Sequence, residues 1–113
     1  MFSMKTRWYP LFSSKEELEA LFVLRKAVVH KNMFATVLLI KEGNEYFAFK
    51  NNCPHQNKPL DQCTVEEGHV ICPFHRYSYA LENGRGHGMC LDQYALKFDE
   101  NGVWLGIERW SFF

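Results

Sequence analysis

Apolar and polar positions along the chain change period twice. Ser14-Lys15-Glu16-Glu17 has the form of a capping box, with Ser14 as N-cap and Glu17 three residues later. A short helix is predicted from there to about Phe22, with Leu18, Leu21 and Phe22 on its inner face. The rest reads as β. Ala27 to Val29, Ala35 to Ile40 and Glu45 to Phe49 are strand-like, and Glu42-Gly43-Asn44 forms a hairpin turn between the last two. Gly68 to Cys72, Tyr77 to Leu81, Tyr94 to Phe98 and Val103 to Ile107 continue the series. Glu66-Glu67-Gly68, Asn83-Gly84 and Asn101-Gly102 supply turn signals. Short strands joined by Gly-containing turns predict a mainly all-β, antiparallel sandwich or barrel with one short N-terminal helix.

The chain has 113 residues and reads as one domain over 1–113, with no internal repeat, linker or low-complexity tract. Its 47% apolar content suits one packed core. Lys plus Arg and Asp plus Glu number 13 each, so no basic excess points to nucleic acid or an anionic membrane. The longest apolar run, Ala35 to Ile40, is far short of the about 20 residues of a membrane-spanning helix. Met1 to Trp8 lacks the apolar run and cleavage site of a signal peptide. The expectation is a cytoplasmic protein whose four cysteines are thiols or metal ligands.

Two segments break the strand pattern. Cys53-Pro54-His55 and Cys72-Pro73-Phe74-His75 each offer one thiolate and one imidazole, with sixteen residues between His55 and Cys72. Pro54 and Pro73 stiffen their loops and remove a competing backbone N–H. Two thiolates and two imidazoles suit tetrahedral zinc. They equally suit a 2Fe–2S cluster in which two His replace two Cys on one iron. Zinc fingers usually pair like with like, whereas here each segment mixes Cys with His.

The stretch Cys53-Pro54-His55-Gln56-Asn57-Lys58-Pro59-Leu60, followed by Cys72-Pro73-Phe74-His75, resembles the Rieske iron–sulfur family. Glu45 to Phe49 matches the strand leading into the first loop, and Leu81 to Gly84 with Leu91 to Lys97 resembles the closing segments. The likeness covers about residues 35 to 107. It implies a Rieske-like β-sandwich with a small cluster-binding subdomain whose loops lie at about 50–60 and 70–80. One 2Fe–2S cluster is implied, with Cys53 and Cys72 on the inner iron and His55 and His75 on the outer. Such a cluster is neutral when oxidised, against minus two for four thiolates. Its potential is therefore raised into a range of roughly −150 to +300 mV.

Departures narrow the type. High-potential members carry an extra Cys in each loop, forming a disulfide; the corresponding places here are Lys58 and Phe74. Those members also have a Ser two residues, and a Tyr four residues, after the second His. Here these are Tyr77 and Tyr79. One hydrogen bond to sulfur is thus absent, which predicts the lower part of the range. Pro54, Pro73, Phe74, Tyr77 and Tyr79 are the expected neighbours of the cluster. Arg76 stands where the family usually has Gly and brings a cation beside the cluster. Arg76 and Lys58 could steer an acidic partner. Cys63 and Cys90 read as spare thiols, and His30, His69 and His87 as surface histidines. The tail Trp110-Ser111-Phe112-Phe113 reads as packing back over the sandwich.

No catalytic nucleophile or open metal position is evident, so the resemblance implies a carrier of one electron and not an enzyme. Its expected partners are a flavin-dependent reductase and an oxygenase or similar acceptor, with no small-molecule substrate. The alternatives are a small subunit of a larger oxidoreductase such as a nitrite reductase, a zinc-binding interaction module, and a redox sensor.

Overall fold

The computed structural model describes the backbone of residues 2–31, 36–53, 59–73 and 76–112, and side chains from 5 to 108 within those ranges. Strand β1 is Phe2–Phe12, followed by helix α1, Lys15–Ala20. Strands β2 (Ala27–Lys31), β3 (Thr36–Glu42) and β4 (Glu45–Lys50) come next. A run of short strands follows: β5 (Thr64–Glu66), β6 (His69–Ile71), β7 (Ser78–Ala80), β8 (Arg85–Gly86) and β9 (Met89–Cys90). Strands β10 (Gln93–Asp99) and β11 (Gly102–Phe112) complete the set.

Six strands form one antiparallel sheet in the order β1-β11-β10-β4-β3-β2. The sheet curls so that Phe12, at the end of β1, reaches His30 on β2 at the opposite edge (ring centroids 4.8 Å apart). A three-stranded sheet, β5-β6-β7, and the β8-β9 hairpin make the smaller part. The mainly-β, antiparallel expectation with one short helix near the N-terminus agrees with this architecture.

Strand β3 explains how the parts join. Val37 to Ile40 are all buried, so both faces of the strand are covered. Val37 and Leu39 face one core with Leu18, Phe22, Ala48, Val103 and Leu105. Leu38 and Ile40 face another with Phe49, Leu60, Val70, Tyr79, Leu91 and the two cysteines Cys53 and Cys72. A strand buried on both faces needs apolar residues in succession, which is why this segment reads as an unbroken run.

The predicted hairpins occur at Gly43, Glu67-Gly68 and Asn101-Gly102. Gly43 has φ +62°, and Glu67 and Gly68 have φ +46° and +74°. At Gly102 a side chain would collide with the main chain, since a Cβ there would lie 2.2 Å from the Phe12 carbonyl oxygen. Strand β1 goes unannounced in the sequence. Its exposed residues 5–8 give no alternating apolar signal, and its register comes from β11 at the far end of the chain.

Three expectations need correction. The helix stops at Ala20, not near Phe22, because Leu21 and Phe22 donate to Leu18 and Glu19 in tightened i→i+3 turns. Those turns still bury Leu18 and Phe22, as expected. The capping box is half formed. The Glu17 N–H donates to Ser14 Oγ at 3.3 Å, but the Glu17 carboxylate accepts from the Ser13 hydroxyl instead of returning to Ser14. The tail does not fold back over the sheet as an appendage. Through Phe112 it continues β11, paired residue by residue with β1.

Candidate functional site

Two connections in and beside the smaller part hold the candidate cysteines Cys53 and Cys72. The first leaves β4 through Asn51 and Asn52 and reaches β5. Asn51 fastens its mouth: Oδ1 accepts the Leu60 N–H at 2.8 Å, while Nδ2 donates to Asp61 Oδ1 at 3.1 Å. The second joins β6 to β7. Its ends are closed by the Cys72 N–H donating to the Tyr77 carbonyl at 2.7 Å.

These closures bring Cys53 and Cys72, nineteen positions apart in sequence, to an Sγ–Sγ distance of 3.2 Å. Both side chains have no solvent exposure, and neither forms a disulfide. The Tyr79 hydroxyl, on an equally buried residue, lies 3.7 Å from Cys53 Sγ. Burial first, and then the neighbouring Cys53 sulfur, push the Tyr79 hydroxyl far above the ordinary phenol range. It therefore stays protonated and able to donate to sulfur. Two buried thiols converging from separate loops beneath a hydroxyl donor fit the thiolate half of a mixed Cys/His metal centre.

His55, Pro54, Phe74, His75 and Lys58 lie outside the described residues. Pro73 is exposed and Tyr77 half-buried. Arg76 has φ +54°, a left-handed conformation that suits the Gly usual at this place. Its guanidinium is 3.7 Å from Glu66, both side chains being exposed. Cys63 is half-buried against the same core. Burial, then the nearby Cys72, push its thiol up to about 11. Cys90 is exposed.

The surface reading of the histidines holds for His69, which is exposed with Nδ1 2.9 Å from the Glu67 carbonyl. It needs correction for His30, which is half-buried against Phe12 because the sheet curls; burial lowers its pKa. His87 is exposed but held: its ring stacks on Tyr77 (centroids 4.4 Å apart, planes at 20°). Sequence reasoning missed Asn51 and the hold on His87. Both depend on backbone groups brought near by folding, which no local motif announces.

The family model for the Rieske [2Fe-2S] domain matches residues 7–95. The ferredoxin component of the alkene monooxygenase system of Xanthobacter autotrophicus is 33% identical over 76 residues, which cover 64% of this chain and 62% of that protein. Apoptosis-inducing factor 3 of Mus musculus is 35% identical over 48 residues, only 8% of its length. Among solved structures, the Sphingomonas yanoikuyae B1 ferredoxin superposes with a TM-score of 0.61 at 19% identity, covering 74% of this chain and 85% of that one. A chain from a complex of oxygenase and ferredoxin in carbazole 1,9a-dioxygenase gives a TM-score of 0.67 at 16% identity, covering 87% and 91%. These structural likenesses concern the fold. With a family model matched over most of its length, the chain belongs to the Rieske [2Fe-2S] domain family.

Proposed function

We propose that this chain, as one domain over 1–113, is a Rieske-type ferredoxin that carries one electron to an oxygenase or similar acceptor. The observation that carries this is the meeting of Cys53 and Cys72 as buried thiols, with no disulfide between them, beneath the Tyr79 hydroxyl. Family membership supplies the cluster, and the monooxygenase-system ferredoxin supports an oxygenase as acceptor.

Cys53 and Cys72 would hold one iron, and His55 and His75 the other. When bound, the cluster takes up and releases a single electron. The protein's part is environmental. Leu60, Leu91, Val70 and Leu38 keep water from the sulfurs, and Tyr79 holds a donor toward Cys53. A donor to sulfur stabilises the added negative charge and raises the potential. Pro54 and Pro73 would stiffen the loops, each fixing φ after a cysteine, and Phe74 would shield the cluster. With four protein ligands the site leaves no open coordination position for a substrate, which suits a carrier.

The electron source would be a flavin-dependent reductase. Among the described residues no helix is long and apolar enough to cross a membrane. A cytoplasmic setting fits four cysteines that form no disulfide.

The test is anaerobic purification followed by absorption spectroscopy and low-temperature electron paramagnetic resonance after dithionite reduction. The expected result is a brown protein with a rhombic signal on reduction, as mixed Cys/His ligation of a 2Fe–2S cluster gives. A colourless chain with stoichiometric zinc that resists iron–sulfur reconstitution would overturn the reading.

A further inference from the structure

His87 occupies an unusual position for a side chain with no assigned task. It sits in the turn between β8 and β9 with φ +53°, followed by Gly88 at +75°. Residues other than Gly are uncommon in this conformation, and His is with Asn and Asp among those enriched in it. The hairpin lies hard against β7: at Gly86 a Cβ would be 2.0 Å from the Ser78 carbonyl oxygen. That close approach delivers the His87 ring onto Tyr77, 4.4 Å between centroids, with its edge toward Tyr79 at 6.4 Å and 75°. The Ser78 N–H donates to His87 Nε2 at 3.2 Å.

Tyr77 and Ser78 form the exit of the second loop. The Tyr77 carbonyl receives the Cys72 N–H, so a ring seated on Tyr77 is two links from a cysteine of the site. We propose that His87 is a positioning residue: by stacking on Tyr77 and accepting from Ser78, it clamps the β8-β9 hairpin against the exit of the second loop. The clamp keeps the Cys72 backbone in the closed arrangement that presents its sulfur to Cys53. This inference rests on the ferredoxin reading for the identity of what the loop holds, but the clamp itself is a property of the polypeptide.

The test uses the full chain with its cluster assembled and three variants. H87Q retains an acceptor near the Nε2 position, H87F retains the stacked ring, and H87A retains neither. Hydrogen exchange of the segment containing Ser78 is measured together with the rate of bleaching by an iron chelator. The resonance spectrum and midpoint potential of the reduced cluster, and the thermal midpoint, complete the set. Losing one hydrogen bond and one aromatic contact should make H87A bleach about tenfold faster. Its Ser78 segment should exchange faster, and its g-values should shift. H87Q should restore slow exchange in part, and H87F slow bleaching in part. An H87A protein that assembles the cluster and shows wild-type exchange, bleaching and spectrum would overturn the clamp and leave the ferredoxin reading standing. A wild-type chain that takes up no cluster would overturn the ferredoxin reading, and Ser78 exchange in H87A would then decide the clamp alone. If H87A does not fold, H87F decides: faster Ser78 exchange supports the clamp, and wild-type exchange overturns it.

Discussion

At the scale of single residues, the site is a matter of which groups can donate and which can ionise. Tyr79→Phe removes the hydroxyl beside Cys53 Sγ without changing shape. The expected outcome is an assembled cluster with a lower midpoint potential, read by redox titration; an unchanged potential would show that the hydroxyl does not reach the sulfur. Cys63 offers a pH test. Its thiol is raised to about 11, so folding favours the neutral form. Its contribution to stability is full below the unfolded thiol pKa and is lost as pH rises from about 9 through about 11. At pH 8 an alkylating reagent should label exposed Cys90 first and Cys63 slowly, as peptide mass mapping will show. Above about pH 11 the difference should narrow. Of the four proposed ligands, spacing singles out Cys53 and Cys72 among the described residues, and the fold brings their sulfurs together. The environment is not legible in the same way. Asn51 closes the first loop through Leu60 and Asp61, which are nine and ten positions away, and Asn is too common a residue for its position to signal that role.

At the scale of elements, turn chemistry carries most of the information. Gly43, Gly68 and Gly102 stand where the backbone takes positive φ, and the strands on either side are legible from them. The β8-β9 hairpin is not, because its turn is His87-Gly88 and its strands span only two residues each. The same element gives a prediction. Gly86→Ala puts a methyl group against the Ser78 carbonyl oxygen, a main-chain atom that cannot rotate away. The hairpin should detach, exposing Tyr77 and lowering the thermal midpoint, while Gly88→Ala, which meets no atom within 4 Å, should be milder despite its positive φ. Helix α1 contributes mainly through one side chain. Leu18 is fully buried between α1 and the sheet, and Leu18→Ala should cost about 2–5 kcal/mol in denaturant unfolding. Ser14→Ala should cost about 1 kcal/mol, since only one cap hydrogen bond is lost.

At the scale of the whole molecule, the architecture turns on β3 and β4, which separate a core holding the cysteines from a core holding the helix. The buried run Val37 to Ile40 is recognisable as a strand, but its two-sided burial is not, since a short apolar run reads alike in a strand covered on one face or on both. Nor is the pairing of β1 with β11, because contacts between residues near opposite ends of the chain leave no local trace. A partition of this kind sets an order of events during metal loss. Removing the cluster should release the loops and small sheets first, while the helix-side core persists on the other face of the same strands. Amides of β3 and β4, anchored from both directions, should then be the last to exchange with solvent. A chain stripped of iron would thus exist as a half-ordered scaffold, already templated on one side, onto which a new cluster could be built without refolding the remainder.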